Sequence, residues 1–161
     1  MTVKNSKEVS LLGLLKEKLI DLELEGENKS EVMSALAEIA AKSSRLLNKK
    51  SFLKSILERE GLGSTGIGNG VAIPHAKTKV AKDFVLVFAR HNLGIDFGAL
   101  DGERTYLFFA LASPQDKVGA HLKILAEISR LVKDKFIVEL LRKAKDKKEV
   151  IKILLTYGKQ K

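Results

Sequence analysis

At 161 residues and 17.7 kDa, with 45% hydrophobic residues, the chain is sized for one domain, residues 1–161, around one substantial core. Its longest apolar runs, VLVFA at 85–89 and LFFALA at 107–112, fall far short of the roughly 20 residues of a spanning helix, and MTVKNSKEVS at the start lacks the apolar stretch of a secretory signal. The absence of cysteine excludes a disulfide framework and fits the reducing cytoplasm, the location expected here. The formal charge of +9, from 29 Lys and Arg against 20 Asp and Glu, raises an acidic partner. Most of the excess lies at 133–161, where ten basic residues against four acidic are interleaved with apolar residues, and it reads first as a solvated helix face. Thirty per cent charged residues without Cys or Trp also suit a heat-adapted chain.

Residues 1–10 carry no clear periodicity, and 1–9 stand as an unassigned N-terminal segment. Leucine-rich clusters at 11–24 read as a short helix and then a strand near Ile20 to Leu24. Asn28 with Glu31 three positions on is a helix-start signature, and Val32, Leu36, Ile39 and Ala40 continue with helical spacing toward Leu47. Ser51 is placed to cap a second helix that stops at Gly61, where a left-handed residue is easily accommodated. A glycine-rich loop then leads to a short strand, Val71 to Ile73. FVLVFARH at 84–91 and TYLFFALA at 105–112 read as strands covered on both faces, joined antiparallel through a turn at Asp101-Gly102. Helical spacing returns from Val118 through His121, Leu122, Leu125 and Ile128 to Val132. It resumes over Phe136 to Leu141 and, behind Asp146 and Glu149, over Val150 to Leu155. The expected fold is α/β, with a small mixed β-sheet sandwiched by helices.

The glycines at 61, 63 and 66 spell G-x-G-x-x-G, but they follow a helix and lead into a strand, the reverse of a dinucleotide-binding turn. No Gly-Lys-Ser/Thr completes a nucleotide-binding P-loop, and Leu62 breaks the G-x-S-x-G pattern of a hydrolase around Ser64. His75, His91 and His121 lie on different elements without a metal-ligand spacing, so no metal and no cofactor are expected. His91 reads as a solvated strand-end residue whose replacement changes nothing. His121, on the face of Ile124, Leu125 and Ile128, reads by itself as a hydrogen-bonded core histidine. His75 is set apart by Pro74, which fixes the preceding φ, and by a glycine-rich loop able to turn backbone amides toward an anion. A neutral imidazole so presented is a candidate nucleophile.

The segment Glu60 to Ala76, above all GIGNGVAIPHA, resembles the active-site signature of the type-2 enzyme IIA domains of the bacterial phosphoenolpyruvate-dependent phosphotransferase system, the fructose, mannitol and nitrogen-regulatory class. GIDFGALDGE at 94–103 and ASPQDKVGAHLKILAEISRL at 112–131 extend the resemblance to about residues 10–157. It implies that His75 accepts a phosphoryl group from a phosphohistidine on an HPr-type carrier, that His121 assists, and that Arg59 supports the phosphohistidine. Backbone amides of the loop around Ser64, Thr65, Gly68, Asn69 and Gly70 are expected to help hold the phosphoryl oxygens.

Phosphoryl transfer asks a protein for positioning and charge stabilisation, which these residue types supply. The onward acceptor is expected on an enzyme IIB, feeding the uptake of a sugar such as fructose or mannitol, or the phosphate acts as a nitrogen-type regulatory signal on a target protein. A chain without its own IIB or IIC leans slightly toward the regulatory branch. The rival reading is a basic binding or regulatory module without phosphotransfer. No helix-turn-helix spacing and no RNA-binding aromatic motif accompany the basic residues, so neither nucleic acid nor direct membrane insertion is expected.

Overall fold

The computed structural model describes residues 9–158; the reading of residues 1–8 as lacking a secretory signal lies outside them. Six strands, β1 (Ile20–Asp21), β2 (Gly66–Gly68), β3 (Val71–Ala72), β4 (His75–Thr78), β5 (Val85–Ile95) and β6 (Thr105–Pro114), form one sheet in the order β1-β5-β6-β3-β2. β4 pairs with β6 beyond the end of β3. β5 and β6 are antiparallel, as expected, whereas β1 runs parallel to β5 and both β3 and β4 run parallel to β6.

The two long apolar runs are explained by helices on both faces. Along β6, Leu107, Phe109 and Leu111 join Leu86 and Phe88 of β5 in a core with α1 (Leu11–Leu14), α4 (Val118–Val132), α5 (Lys135–Lys143) and α6 (Lys147–Gly158). The alternate residues Phe108, Ala110 and Ala112 join Val85, Val87 and Ala89 in a second core with α2 (Lys29–Ala40) and α3 (Lys49–Glu60). A strand buried on both sides has no polar alternation to display. The register aligns Phe88 with Phe109, whose rings meet edge-on with centroids 5.0 Å apart, a favoured aromatic geometry. No helix among the described residues is long and apolar enough to cross a membrane.

Several local readings are corrected. α2 begins as expected, with the Asn28 side chain accepting from the Glu31 amide, but it stops at Ala40 rather than near Leu47. The chain turns so that Leu46 pairs with Ala81 and the Leu47 amide donates to the Val80 carbonyl, contacts invisible to local periodicity. Asn48 caps α3 by accepting from the Ser51 amide, so Ser51 receives the cap rather than supplying it. Gly61 has a right-handed φ of −66°; the helix exit needs no left-handed residue there. The strand near residue 20 is only two residues long.

Candidate active site

Parallel pairing of β4 with β6 sets His75 beside Leu111 and Lys77 beside Ser113. Directly paired residues share a face, so His75 lies on the side of the sheet that α4 covers. The first turn of α4 carries His121, 3% exposed, and the two imidazole centroids are 5.5 Å apart. α3 ends on the far side of the same opening and contributes Ser55, Glu58 and Arg59. The result is a cleft of about 530 Å³ in which His75, His121, Arg59, Lys77 and Gln115 are lining residues. Leu62 and Leu122 are exposed at its rim.

The His75 ring is held by its own strand. Nδ1 lies 2.6 Å from the Ile73 carbonyl oxygen, an acceptor only, so Nδ1 carries the hydrogen and Nε2 keeps its lone pair. The half-buried position lowers the pKa of His75 from its ordinary value, the Ile73 carbonyl opposes that shift, and Arg59 adds to it; Glu60 works upward and Lys77 downward. A neutral imidazole with a free Nε2 is the nucleophilic form. His121 is lowered further, to about 4, by burial first, then by repulsion from His75 when that ring is protonated, and then by the charge of Lys77. Its Nδ1 is 2.8 Å from the hydroxyl of Ser113, which is fully buried.

Arg59 is steered by the loop that follows α3, donating from Nη1 to the Gly63 carbonyl at 2.9 Å. That loop is anchored by Glu60. Its carboxylate accepts from the Thr65 amide and, at 2.6 Å, from the Thr65 hydroxyl, and it pairs with Lys29 at 2.6 Å. Burial works to raise the Glu60 carboxyl, but Lys29, Thr65 and Ser64 together hold it below the usual carboxylate range. It is therefore an ionised anchor for the loop.

The structure brings together His75, His121 and Arg59, but not the five loop residues. Ser64, Thr65, Gly68, Asn69 and Gly70 are absent from the walls of the His75 cleft. The Thr65 amide is used by Glu60, the Ser64 hydroxyl donates to the Phe97 carbonyl, and the Asn69 amide donates to Asp101. Residues 66–72 form a small hairpin whose turn, Asn69-Gly70, has both φ values positive, 58° and 78°, and Asn69 reaches the carbonyl of Val132. The glycines thus serve a tight turn and close approach to Tyr106 and Asp101 rather than an anion cradle at His75.

His91 is the other correction. It is 8% exposed inside β5, with Nε2 2.7 Å from the Gly26 carbonyl and Nδ1 accepting from the Gly94 amide. Two backbone partners take it out of solvent. Sequence reading also missed Lys77 and Ser113. Strand alternation from His75 places Lys77 on its face, and that signal was available; the approach of Ser113 to His121 depends on how α4 packs.

Comparison with known proteins decides the family. A model described as phosphoenolpyruvate-dependent sugar phosphotransferase system, EIIA 2, matches residues 13–157. The chain belongs to this type-2 enzyme IIA family. Enzyme IIA domains of this system are phosphocarriers. The chain is 39% identical over 122 residues to a nitrogen regulatory protein of Bradyrhizobium diazoefficiens, covering 74% of this chain and 80% of the relative. To a fructose-specific EIIA component of Haloferax volcanii it is 35% identical over 136 residues, 84% of this chain and 88% of the other. The crystal structure of the nitrogen regulatory protein IIA-Ntr from Neisseria meningitidis superposes with a TM-score of 0.83 at 31% identity, covering 89% of this chain and 98% of that one. An Escherichia coli mannitol IIA, solved in complex with its phosphorylated enzyme IIB, shares the fold with a TM-score of 0.76 at 20% identity over 88% of this chain and 97% of that one.

Proposed function

We propose that this enzyme IIA is a phosphohistidine carrier in which Nε2 of His75 takes a phosphoryl group from a phosphohistidine on an HPr-type protein. The observation that carries the reading is the 2.6 Å contact of His75 Nδ1 with the Ile73 carbonyl, which leaves one free nitrogen, and that nitrogen belongs to a ring in an open cleft. The Nε2 lone pair forms the new N–P bond while the donor's N–P bond breaks, and its electron pair returns to the donor ring. No proton need move in that step. The phosphorylated ring then keeps its Nδ1–H on the Ile73 carbonyl, which stabilises the charge the ring acquires.

Arg59 and His121 flank the position the phosphoryl group takes. Arg59 is permanently charged and is suited to the equatorial oxygens, while His121 stays neutral near pH 7 and offers a weaker, uncharged contact. A carrier needs this balance, because a site that held phosphate too tightly could not release it. The group passes onward to an enzyme IIB or serves as a signal to a regulatory target. The relatives include both a nitrogen regulatory protein and a fructose-specific component, and the complex of the mannitol IIA with a phosphorylated IIB supports an acceptor of that type.

The test is incubation with phosphoenolpyruvate, enzyme I and an HPr-type carrier, followed by intact mass before and after acid. One acid-labile addition of about 80 Da, the mass of a PO₃ unit, absent from His75→Ala, is expected. Addition that persists in a folded His75→Ala variant would refute the assignment.

A further inference from the structure

Resting on the reading of His75 as phosphoacceptor, we infer that Ser113 is a positioning residue for the transfer: its hydroxyl donates to Nδ1 of His121 and so fixes the tautomer that presents Nε2–H to the phosphoryl group. Ser113 and His121 are 0% and 3% exposed, and the Ser113 Oγ to His121 Nδ1 distance is 2.8 Å. Among the described residues this is the single hydrogen bond of the hydroxyl.

Two arrangements satisfy that distance, and they are not equivalent. If Nδ1 carried the hydrogen and donated to Ser113, the serine O–H would point into a fully buried surrounding with no acceptor. A buried donor left unpaired is the costly case. The Nε2 lone pair would then face the cleft and repel the oxygens of an arriving phosphoryl group. With Ser113 donating, its hydrogen is used, and the remaining ring hydrogen sits on Nε2, on the ring edge away from Ser113, where a phosphoryl oxygen is its natural acceptor.

Burial first, then the charge of Lys77 and the repulsion that a protonated His75 would exert, keep His121 neutral, so the ring has one hydrogen to place and its location matters. A neutral donor steadies the group without adding a second full charge to that of Arg59. The tie is also geometric. Ser113 pairs with Lys77 two residues beyond the pairing of His75 with Leu111, so the same two strands fix the phosphoacceptor and the group that orients its neighbour.

The experiment is a pair of measurements on the full chain and on Ser113→Ala. Long-range ¹H–¹⁵N spectra of the unphosphorylated protein at pH 7 assign the ring tautomers, and rapid-quench kinetics with a phosphorylated HPr-type carrier give the transfer rate. In the unsubstituted protein His121 is expected with Nε2 protonated and Nδ1 bare. In Ser113→Ala the Nδ1–H form is expected to become populated and the rate of the transfer step to fall about tenfold with KM for the carrier little changed, a loss of about 1.4 kcal/mol. Ser113→Thr, which restores a hydroxyl, is expected to recover the tautomer.

An Nδ1–H tautomer in the unsubstituted protein overturns the inference without recourse to any variant, as does a Ser113→Ala protein with unchanged tautomer or unchanged transfer rate. If His121 shows the expected tautomer but no phosphoryl group ever reaches His75, the carrier reading fails and takes this catalytic role with it, while the hydrogen-bond direction stands.

Discussion

Acidification should cost this protein stability through His121 before its carboxylates titrate. The ring has a folded-state pKa of about 4 against the ordinary value near 6.5. The unfolded chain therefore binds a proton that the folded chain refuses between those values, so the contribution is full above pH 6.5 and is lost as pH falls toward 4. Linkage for this single group gives a loss of about 2 kcal/mol between pH 8 and pH 5, approaching about 3 kcal/mol at the acid limit. For a chain of this size that corresponds to a fall in Tm of roughly 4 to 8 °C at pH 5. Glu60, held below the usual carboxylate range, works with the same sign but keeps its contribution until the pH falls below about 4.5. His75 contributes in the same window as His121, so the measurement must be differential. Urea unfolding of the native chain and of His121→Gln, which can still bond to Ser113, should be followed at half-unit intervals from pH 8 to pH 4.5. The stability gap between them should close, or reverse in favour of the variant, by about 2 kcal/mol as the pH falls to 5. A gap that stays constant across the range would refute the argument that burial excludes the proton.

Arg59→Ala removes a charged donor from the cleft; transfer to His75 should slow by roughly 10- to 100-fold, the equivalent of a charged hydrogen bond. The pKa of His75 should also rise, because Arg59 pushes it down; a normal rate would remove Arg59 from the site. The rate of acceptance should fall on acidification with a midpoint below the ordinary imidazole value near 6.5, since the lowered pKa of His75 carries the neutral nucleophile to more acidic pH; a midpoint at or above that value would contradict it. His91→Ala should leave phosphorylation unchanged but cost about 2 kcal/mol, because the Gly94 amide and the Gly26 carbonyl lose their partner; an unaltered urea midpoint would return His91 to a solvated role. Gly94→Ala should cost about 2 to 4 kcal/mol from left-handed strain and overpacking, as Gly94 has φ +75° and a Cβ there would stand 2.6 Å from Tyr106; a loss under about 1 kcal/mol would show that the β5 turn relaxes freely.

Features carried by neighbours in the chain were legible in the sequence. The Asn28 and Glu31 pair opens α2, and Asp146 with Glu149 opens α6, the Asp146 side chain accepting from the Glu149 amide as the spacing requires. The apolar runs of β5 and β6 announced strands covered on both faces because each residue there must be buried against one helix layer or the other. The segment ending at Pro74-His75 singled out a residue for chemistry because its composition is unusual in itself. What sequence periodicity overstated was settled by contacts across the fold: α2 ends early because Leu46 pairs with Ala81, and His91 is buried because Gly26 and Gly94 both bind its ring.

The candidate site divides along the same line. Composition and spacing by themselves marked His75 as a nucleophile, and they left His121 as a core histidine. Only tertiary structure sets the two rings 5.5 Å apart, through a parallel pairing of β4 with β6 and a helix folded back over that face. It also turned the glycine loop away from the cleft, since its amides and side chains are engaged by Glu60, Phe97, Asp101 and the end of α4. A sequence lists which hydrogen-bond donors exist; which acceptor each one meets depends on groups distant in the chain, and that is decided by the packing of the sheet and its two helix layers.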